Sequence, residues 1–289
     1  MSVISVETKK FAELEAILEA ADDNTLLIHD DNGVKTITFA NLKKVLQASI
    51  DTIEDVLRDG ADAHNSIYRG KYLGSAVTDA QYAAIADGTF EDLYIGDYWT
   101  IGGVNYRIAA FDYYLTTGNT VCSKHHAVIV PDTNLYSAQM NTSAVTTGAY
   151  VGSAMYTANL ADAKTTIKAA FSGHILSHRQ YLKNAVTNGY ESAGAWYDSE
   201  IELMTEQNVY GGIVFAHTSS GTNIPASYTI DKSQYPLFTL APHMQSNRQT
   251  YWLRDVVSSA TFAHVNYDGY CSSSGAPASY GVRPAFCIC

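Results

Sequence analysis

Short β-rich runs separated by turn residues fill the chain from about residue 94 onward, and this pattern limits the fold more than any other feature. Residues 94–111 contain two such runs around the Gly-Gly pair at 102–103, which is typical of a hairpin because glycine accepts positive φ. Helical patterns occur at 158–171 and 199–209, and further strand patterns at 126–131, 213–216, 237–240, 250–257, 261–267 and 282–288. Strands, two helices and more strands predict an α+β domain over 94–289.

The first 60 residues predict a helix, a hairpin and a second helix. Apolar residues at helical spacing mark 7–21, and two β-rich runs flank Asn32-Gly33. Within 40–57 the apolar stripe follows steps of four and three, at Leu42, Leu46, Ser49, Ile53 and Val56. This heptad pattern favours either an amphipathic helix packed on the hairpin or self-association into a dimer or trimer. We therefore expect residues 1–60 to mount and oligomerise the protein.

A linker is expected between these two regions. Residues 59–66 are small and polar, which predicts a boundary. The rest of 61–93 carries one short helix at 78–87, where Thr78 and Gln81 fit a capping box.

Charge and cysteine content narrow the class of protein. The net charge is -11, without basic runs, which argues against a nucleic-acid partner. The four cysteines lack the regular spacing of a disulfide scaffold. With neither a signal-peptide pattern nor an apolar run of membrane-spanning length, we expect cytoplasmic synthesis, no signal peptide and no membrane insertion.

The tract 258–280 has the composition of a binding surface. Ser, Ala and Tyr supply 13 of its 23 residues, and Lys, Arg, Glu, Gln, Met, Leu, Ile and Trp are absent. Stiffer sequences, 251–257 and 281–286, stand on either side of it. Tyrosine gives large contact area at low entropic cost while serine and glycine adapt, so the pattern is typical of a paratope. A Ser/Gly-rich loop without function is the alternative.

Three segments carry a resemblance to a known family. Trp252-Leu253-Arg254-Asp255, then the Ser/Tyr tract, then Gly281-Val282-Arg283-Pro284-Ala285-Phe286 resemble the C-terminal end of lectin-fold domains in phage structural proteins. Residues 95–107 resemble the first strands of that domain, and 27–38 resemble a phage tail-fibre N-terminus. Within that family the chain is similar to variable proteins diversified by retroelements, such as the major tropism determinant.

The resemblance implies a C-type-lectin-like (formylglycine-generating-enzyme-like) fold whose variable residues face solvent, often in a homotrimer. Products of such diversification exclude Lys, Glu, Gln, Met and Trp, none of which occurs in 258–280. Trp252, Arg254, Arg283 and Phe286 would then be framework. The candidate ligand contacts are Thr261, His264, Asn266, Tyr267, Asp268, Tyr270, Cys271, Ser272, Ser273, Ser274, Ala276 and Ala278.

The expected function is that of a phage receptor-binding protein in the virion tail. It would bind a bacterial surface receptor, protein or glycan, through 94–289, and contact other tail proteins through its N-terminus. Neither catalysis nor a cofactor is expected. An adhesin on the bacterial surface is a further alternative, but it would need an export signal.

Some cysteine and histidine residues stand close together in the sequence and are candidate metal ligands. Cys122 with His125 and His126, and His174 with His178, lack the remaining ligands of a zinc site, so no metal is expected. The same fold hosts formylglycine-generating oxidases. Cys287 and Cys289 alternate along a predicted strand and could bind copper(I) on one face, so a copper oxidase is the enzymatic alternative.

Overall fold

The computed structural model describes residues 25–30, 33–58, 60–216 and 233–289, and divides the chain into two units, Met1–Leu57 and Arg58–Cys289. The helix predicted at 7–21 lies outside the described residues.

The first unit holds the predicted hairpin and the start of the helix that follows. Strand β1 (Thr25–Asp30) pairs antiparallel with β2 (Gly33–Thr38), and Asp30 lies opposite Gly33. Helix α1 (Phe39–Arg58) follows directly, and the Thr38 hydroxyl accepts a 3.2 Å hydrogen bond from the Asn41 N–H near its start. Val45, Leu46 and Ile50 of α1 are exposed.

The second unit is an α+β arrangement dominated by sheets. Its strands are β3 (Tyr72–Gly74), β4 (Tyr98–Ile101), β5 (Val104–Phe111), β6 (Ala127–Pro131), β7 (Tyr136–Gln139), β8 (His178–Thr187), β9 (Tyr190–Ser199), β10 (Ile201–Leu203), β11 (Tyr251–Val256), β12 (Thr261–Val265), β13 (Cys271–Gly275), β14 (Ser279–Val282) and β15 (Pro284–Ile288). Its helices are α2 (Gly60–His64), α3 (Asp79–Ala86), a π-helix (Met155–Asn159), α4 (Ala161–Ala170), α5 (Glu206–Tyr210), α6 (Pro236–Leu240) and a 3-10 turn (Pro242–Met244).

Three sheets form among the described residues of this unit. One has six strands in the order β10-β15-β6-β5-β4-β3, and a second has five in the order β13-β12-β11-β14-β7. Strands β8 and β9 pair only with each other. Because β13 ends the five-stranded order, the Ser-rich tract lies along one border of that sheet.

The core forms where apolar runs cross the middle of the sheets. Every residue of β6 is buried, and β5 is buried from Tyr106 to Phe111, as continuous apolar strands must be when both faces are covered. Trp99 joins this cluster. A second cluster gathers around Trp252 and Phe262. In β11 and β12 these two residues lie on the sheet face opposite to that of Tyr251 and Val265.

The four residues expected to be framework are all buried: Trp252, Arg254, Arg283 and Phe286. The Arg283 guanidinium is wholly buried and donates to the carbonyl oxygens of Pro131 at 2.9 Å and Met244 at 3.2 Å. Its carbon also lies 5.0 Å from the centre of the Tyr251 ring. A fully paired buried cation of this kind fixes the segments around it, since losing either side would strand the charge.

Residues expected to form a linker belong to the second unit. Within 61–93, β3 pairs with β4, and Ile85, Phe90 and Leu93 are fully buried in the first core cluster. The predicted capping box of α3 is confirmed, because Thr78 and Gln81 exchange backbone and side-chain hydrogen bonds.

Three local predictions were wrong. The helix predicted at 199–209 is a strand over Ile201–Leu203 and a helix only from Glu206, because the first three residues pair with β15 at the sheet edge. Residues 237–240 are helical, with Pro236 at the first turn, where its missing N–H costs nothing. Residues 213–216 form no strand, because the N–H groups of 214–216 bond to one carboxylate.

Candidate ligand-contact surface

Most of the predicted contact residues lie on one antiparallel hairpin. Strands β12 and β13 pair in the register Thr261 with Gly275 to Val265 with Cys271. Residues 266–270 connect them, and we refer to these five residues as the tip. Ten of the twelve predicted positions, from Thr261 to Ser274, lie on this hairpin's strands and tip, and Ala276 and Ala278 follow it.

The tip is closed by its own backbone. The Asn266 N–H donates to the Tyr270 carbonyl oxygen at 2.9 Å, and the Gly269 N–H donates to the Asn266 carbonyl oxygen at 2.9 Å. Gly269 has a φ of 99°, which L side chains rarely adopt. The Asn266 amide also donates to the Asp268 carboxylate at 3.1 Å. These bonds give the five residues one defined turn.

Side chains from other segments hold the tip in place. The Tyr210 hydroxyl, at the end of α5, donates to the Gly269 carbonyl oxygen at 2.9 Å. The Ser246 hydroxyl donates to the Tyr267 carbonyl oxygen at 2.8 Å. The Thr250 hydroxyl donates to the Asn266 side-chain oxygen at 3.2 Å. Burial raises the pKa of Tyr210, so its phenol keeps the proton that it donates.

Two tyrosines project from this fixed turn into solvent. Tyr267 is 60% exposed and Tyr270 is 55% exposed, and Asp268 between them is exposed as well. The remaining accessible positions are half-buried: Thr261, Asn266, Ser272, Ser273, Ser274 and Ala278. A large amphipathic ring held in a defined position can bind without losing much side-chain entropy.

Three predicted contact residues are buried, which corrects the prediction for them: His264, Cys271 and Ala276. His264 is 5% exposed and packs between Trp252 and Tyr280, with ring centres 6.0 and 5.0 Å away. Burial lowers the pKa of His264 to about 4, so the ring is neutral at neutral pH. Strand β12 is buried at every position from Phe262 to Val265, so both of its faces are covered, whereas β13 is buried only at Cys271.

Cys271 bonds to a buried carboxylate. Its thiol donates to Glu206 at 3.1 Å, and burial, followed by the nearby Glu206 charge, raises the pKa of the thiol. Glu206 is wholly buried. Its carboxylate also accepts the backbone N–H groups of Val214 at 2.7 Å, Phe215 at 3.0 Å and Ala216 at 3.1 Å. One carboxylate therefore ties β13 to the segment after α5.

Sequence reasoning missed Glu206, Tyr210 and Ser246. A local signal does exist for α5, since Thr205 and Asn208 form a capping box at its start. No local signal could show that the Glu206 carboxylate faces inward, because its partners are backbone groups eight to ten residues away and a cysteine on another strand.

A buried charged cluster lies behind the contact surface. Asp255 accepts the Glu206 backbone N–H at 2.7 Å, and Glu191 accepts the Val256 N–H at 3.2 Å. Burial, then the neighbouring Glu191 and Glu206 charges, raises the pKa of Asp255 well above its ordinary value. Burial also raises the pKa of Glu191 and lowers that of Lys183. Burial thus disfavours the charged form of all three side chains, and the Lys183 amine has no hydrogen-bond partner among the described residues.

The cysteines proposed for copper lie elsewhere. Cys122 and Cys289 line a cleft of about 640 Å³ together with His178 and Arg179, while Cys287 is buried. All four cysteines are free. Within the described residues no group of three or more His, Cys, Asp or Glu side chains is placed to hold a metal ion. Residues Cys287 and Cys289 thus differ in exposure rather than sharing an open face.

Comparisons with known proteins add one match. Residues 199–289 match a family model described as a domain of unknown function, DUF6273. No curated protein matches the chain. No solved structure matches it. The matched region runs from the last residue of β9 to Cys289 and so includes Glu206, the tip and all of the flanking framework residues.

Among the helices that the structure describes, none is long and apolar enough to span a bilayer.

Proposed function

We propose that this protein is a receptor-binding protein of the phage-tail type, which binds a molecule on a bacterial surface through the tip and the half-buried positions beside it. The observation that carries the proposal is the pair of exposed tyrosines, Tyr267 and Tyr270, on a turn held by three side chains from outside it. Its role is adhesion, with no reaction at this surface.

The physical basis of the proposal is preorganisation. Association costs free energy for every side chain and loop that must become ordered. Here the turn is ordered before binding by its internal backbone bonds and by the Tyr210 and Ser246 hydroxyls. Each tyrosine then has only its own torsions to lose, and its ring offers a large contact area.

The finer fold and the origin of the tract belong to the same proposal. We assign residues 94–289 to the C-type-lectin-like fold and the tract 258–280 to retroelement diversification, on the resemblance described above. The burial of Trp252, Arg254, Arg283 and Phe286 supports a framework role for the flanks of the tract. The exposed positions within it would be those that vary.

Several copies would act together. Val45, Leu46 and Ile50 of α1 are exposed in the single chain, and Leu46 belongs to the heptad stripe. We assign this helix to self-association, as a homotrimer, and the N-terminal region to attachment to other tail proteins. Three linked sites would give avidity, so each can be weak.

The test compares two double variants of the full chain. Tyr267→Ala/Tyr270→Ala removes both rings at the tip, and Tyr72→Ala/Tyr190→Ala removes two exposed tyrosines elsewhere. Binding of the labelled proteins to a panel of bacterial strains is measured by flow cytometry, and folding by circular dichroism. We expect binding to fall at least about tenfold for the tip variant only. Equal binding by the folded tip variant would reject the proposal.

A further inference from the structure

Three consecutive apolar residues lie in solvent after α5. Ile213, Val214 and Phe215 are 45%, 53% and 43% exposed, and we refer to them as the 213–215 patch. Single exposed apolar side chains are ordinary on a protein surface, but contiguous ones mark sites of interaction.

The patch is held by the most thoroughly buried carboxylate near the tip. Glu206 is wholly buried and accepts the N–H groups of both Val214 and Phe215. Removing a carboxylate from water is costly unless several donors satisfy it. The protein thus uses a buried charge to fix the backbone of a segment whose side chains point away from the core.

The same contacts make the patch continuous with the tip. One Glu206 oxygen, Oε1, accepts hydrogen bonds from both the Phe215 N–H and the Cys271 thiol, and Cys271 follows the exposed Tyr270. At the other end, Tyr210 stands three residues before Ile213 and donates to Gly269 in the tip. Patch and tip are therefore joined through two bonded connections.

We propose that the 213–215 patch and the two tip tyrosines form one surface, and that its occupant is a protein surface with apolar side chains at its centre. This inference rests on the proposed function and names the class of receptor. A glycan needs a dense set of polar donors and acceptors, whereas the centres of protein interfaces are aromatic, aliphatic and poor in charge. The five exposed side chains carry only two hydroxyls as polar groups, and the serines beside the tip are half-buried.

Two charged side chains at this surface indicate which charges the partner should carry. Asp268 is exposed between the tyrosines, and Arg248 is exposed beside Ser246, which holds the tip. The partner should therefore place a basic group opposite Asp268 and an acidic or polar group opposite Arg248, around an apolar centre.

The experiment uses the full chain and strains that bind it. Val214→Ser/Phe215→Ser makes the patch polar while leaving its backbone N–H groups on Glu206, and Val121→Ser/Val145→Ser is the control, since both valines are exposed elsewhere. We expect the patch variant to bind cells at least about tenfold more weakly, and the control to bind like the parent. Protease treatment of the cells should abolish binding, and periodate oxidation of their glycans should preserve it.

Each other outcome has a defined meaning. Loss of binding after periodate but not after protease identifies a glycan and overturns the inference. If the tip variant loses binding and the patch variant does not, this inference fails while the proposed function stands. If neither variant loses binding, the proposed function fails, and this inference fails with it.

Folding is checked separately. A large drop in the thermal midpoint of the patch double variant would mean that the patch packs within the chain, which also overturns the inference. The single variant Val214→Thr keeps the shape of the most exposed side chain and changes only its polarity, and weaker cell binding by this variant at an unchanged midpoint is the result expected.

Discussion

Two hairpins of the second unit both carry aromatic side chains, but they present them differently. In the β8–β9 hairpin the turn contains Asn188 and Gly189, both with positive φ, as a two-residue connection requires. Its aromatic residues lie along the strands, where Tyr181 and Trp196 pack edge to face at 5.6 Å. In the β12–β13 hairpin the exposed aromatic residues, Tyr267 and Tyr270, stand on the five-residue tip.

The difference teaches what display requires. In a hairpin with a two-residue turn both turn residues serve to reverse the chain. The side chains of the strands contact one another across the pair. A five-residue tip has room for side chains that point outward, and its own backbone bonds together with hydrogen bonds from Tyr210, Ser246 and Thr250 keep it ordered. A turn of this length without such bonds would not be ordered before binding, so the preorganisation would be lost.

The largest expected effect is a difference in stability between variants of two carboxylates, Glu206 and Glu191, one for each hairpin. Glu206→Ala strands three backbone N–H groups and the Cys271 thiol, so we expect a loss of about 3 kcal/mol in the free energy of unfolding, together with weaker cell binding. Glu191→Ala, in strand β9 of the other hairpin, should cost clearly less, because burial raises the pKa of Glu191 and so disfavours the carboxylate form that accepts the Val256 N–H. Urea denaturation measures both. Equal losses would contradict the special role of Glu206.

The second prediction concerns pH and Asp255. Its pKa is raised in the fold, so the folded protein keeps a proton that the unfolded chain releases. The contribution of Asp255 to stability should therefore be full at acid pH and fall as pH rises above the ordinary carboxyl value of 3.8. Asp255→Asn should remove this slope and stabilise the protein in alkaline buffer by on the order of 1–2 kcal/mol. Parallel pH profiles of parent and variant would refute it.

The third prediction has the opposite sign and belongs to the β12–β13 hairpin. Burial lowers the pKa of His264 to about 4 from 6.5, so the unfolded chain takes up a proton before the folded protein does. Stability should be lost as pH falls below 6.5 and through the folded pKa. His264→Phe should flatten this acid slope, an effect on the order of 1 kcal/mol. Thermal unfolding across acid buffers measures it, and an unchanged slope would argue against the buried position.

The smallest effect tests one hydrogen bond in each hairpin. Tyr210→Phe removes the donor to Gly269 and should cost about 0.5–1 kcal/mol, with faster amide exchange in the tip and moderately weaker binding. Tyr197→Phe removes the acceptor of the Asn184 amide in the β8–β9 hairpin and should leave the tip unchanged. Hydrogen exchange by mass spectrometry distinguishes the two. Faster exchange at the tip in both variants would show that the hairpins are not independent.

Local sequence predicted the elements whose signals are local. The Gly-Gly hairpin of β4 and β5 and the Thr78–Gln81 capping box depend on neighbouring residues, and the structure has both. The helix predicted at 199–209 failed because Ile201 and Leu203 pair with β15, a strand more than eighty residues away in the chain. Periodicity cannot register such a distant partner.

The candidate surface divides in the same way. Composition pointed to the tract, and Tyr267, Asp268 and Tyr270 are exposed. It could not separate them from His264 and Cys271, because packing against distant segments decides which side chains are covered: β12 is buried from Phe262 to Val265, and β13 is buried only at Cys271. The bonds of Glu206 to 214–216 link segments by backbone N–H groups, which carry no side-chain signature.

The bonds from Tyr210 and Ser246 end on main-chain oxygens, at Gly269 and Tyr267. Any amino acid placed at 267 or 270 would still offer the same carbonyl groups to these hydroxyls. New side chains can therefore stand at these two positions while the geometry of the turn stays the same. The side chains that the turn presents and the bonds that hold it can thus evolve at separate positions of the gene.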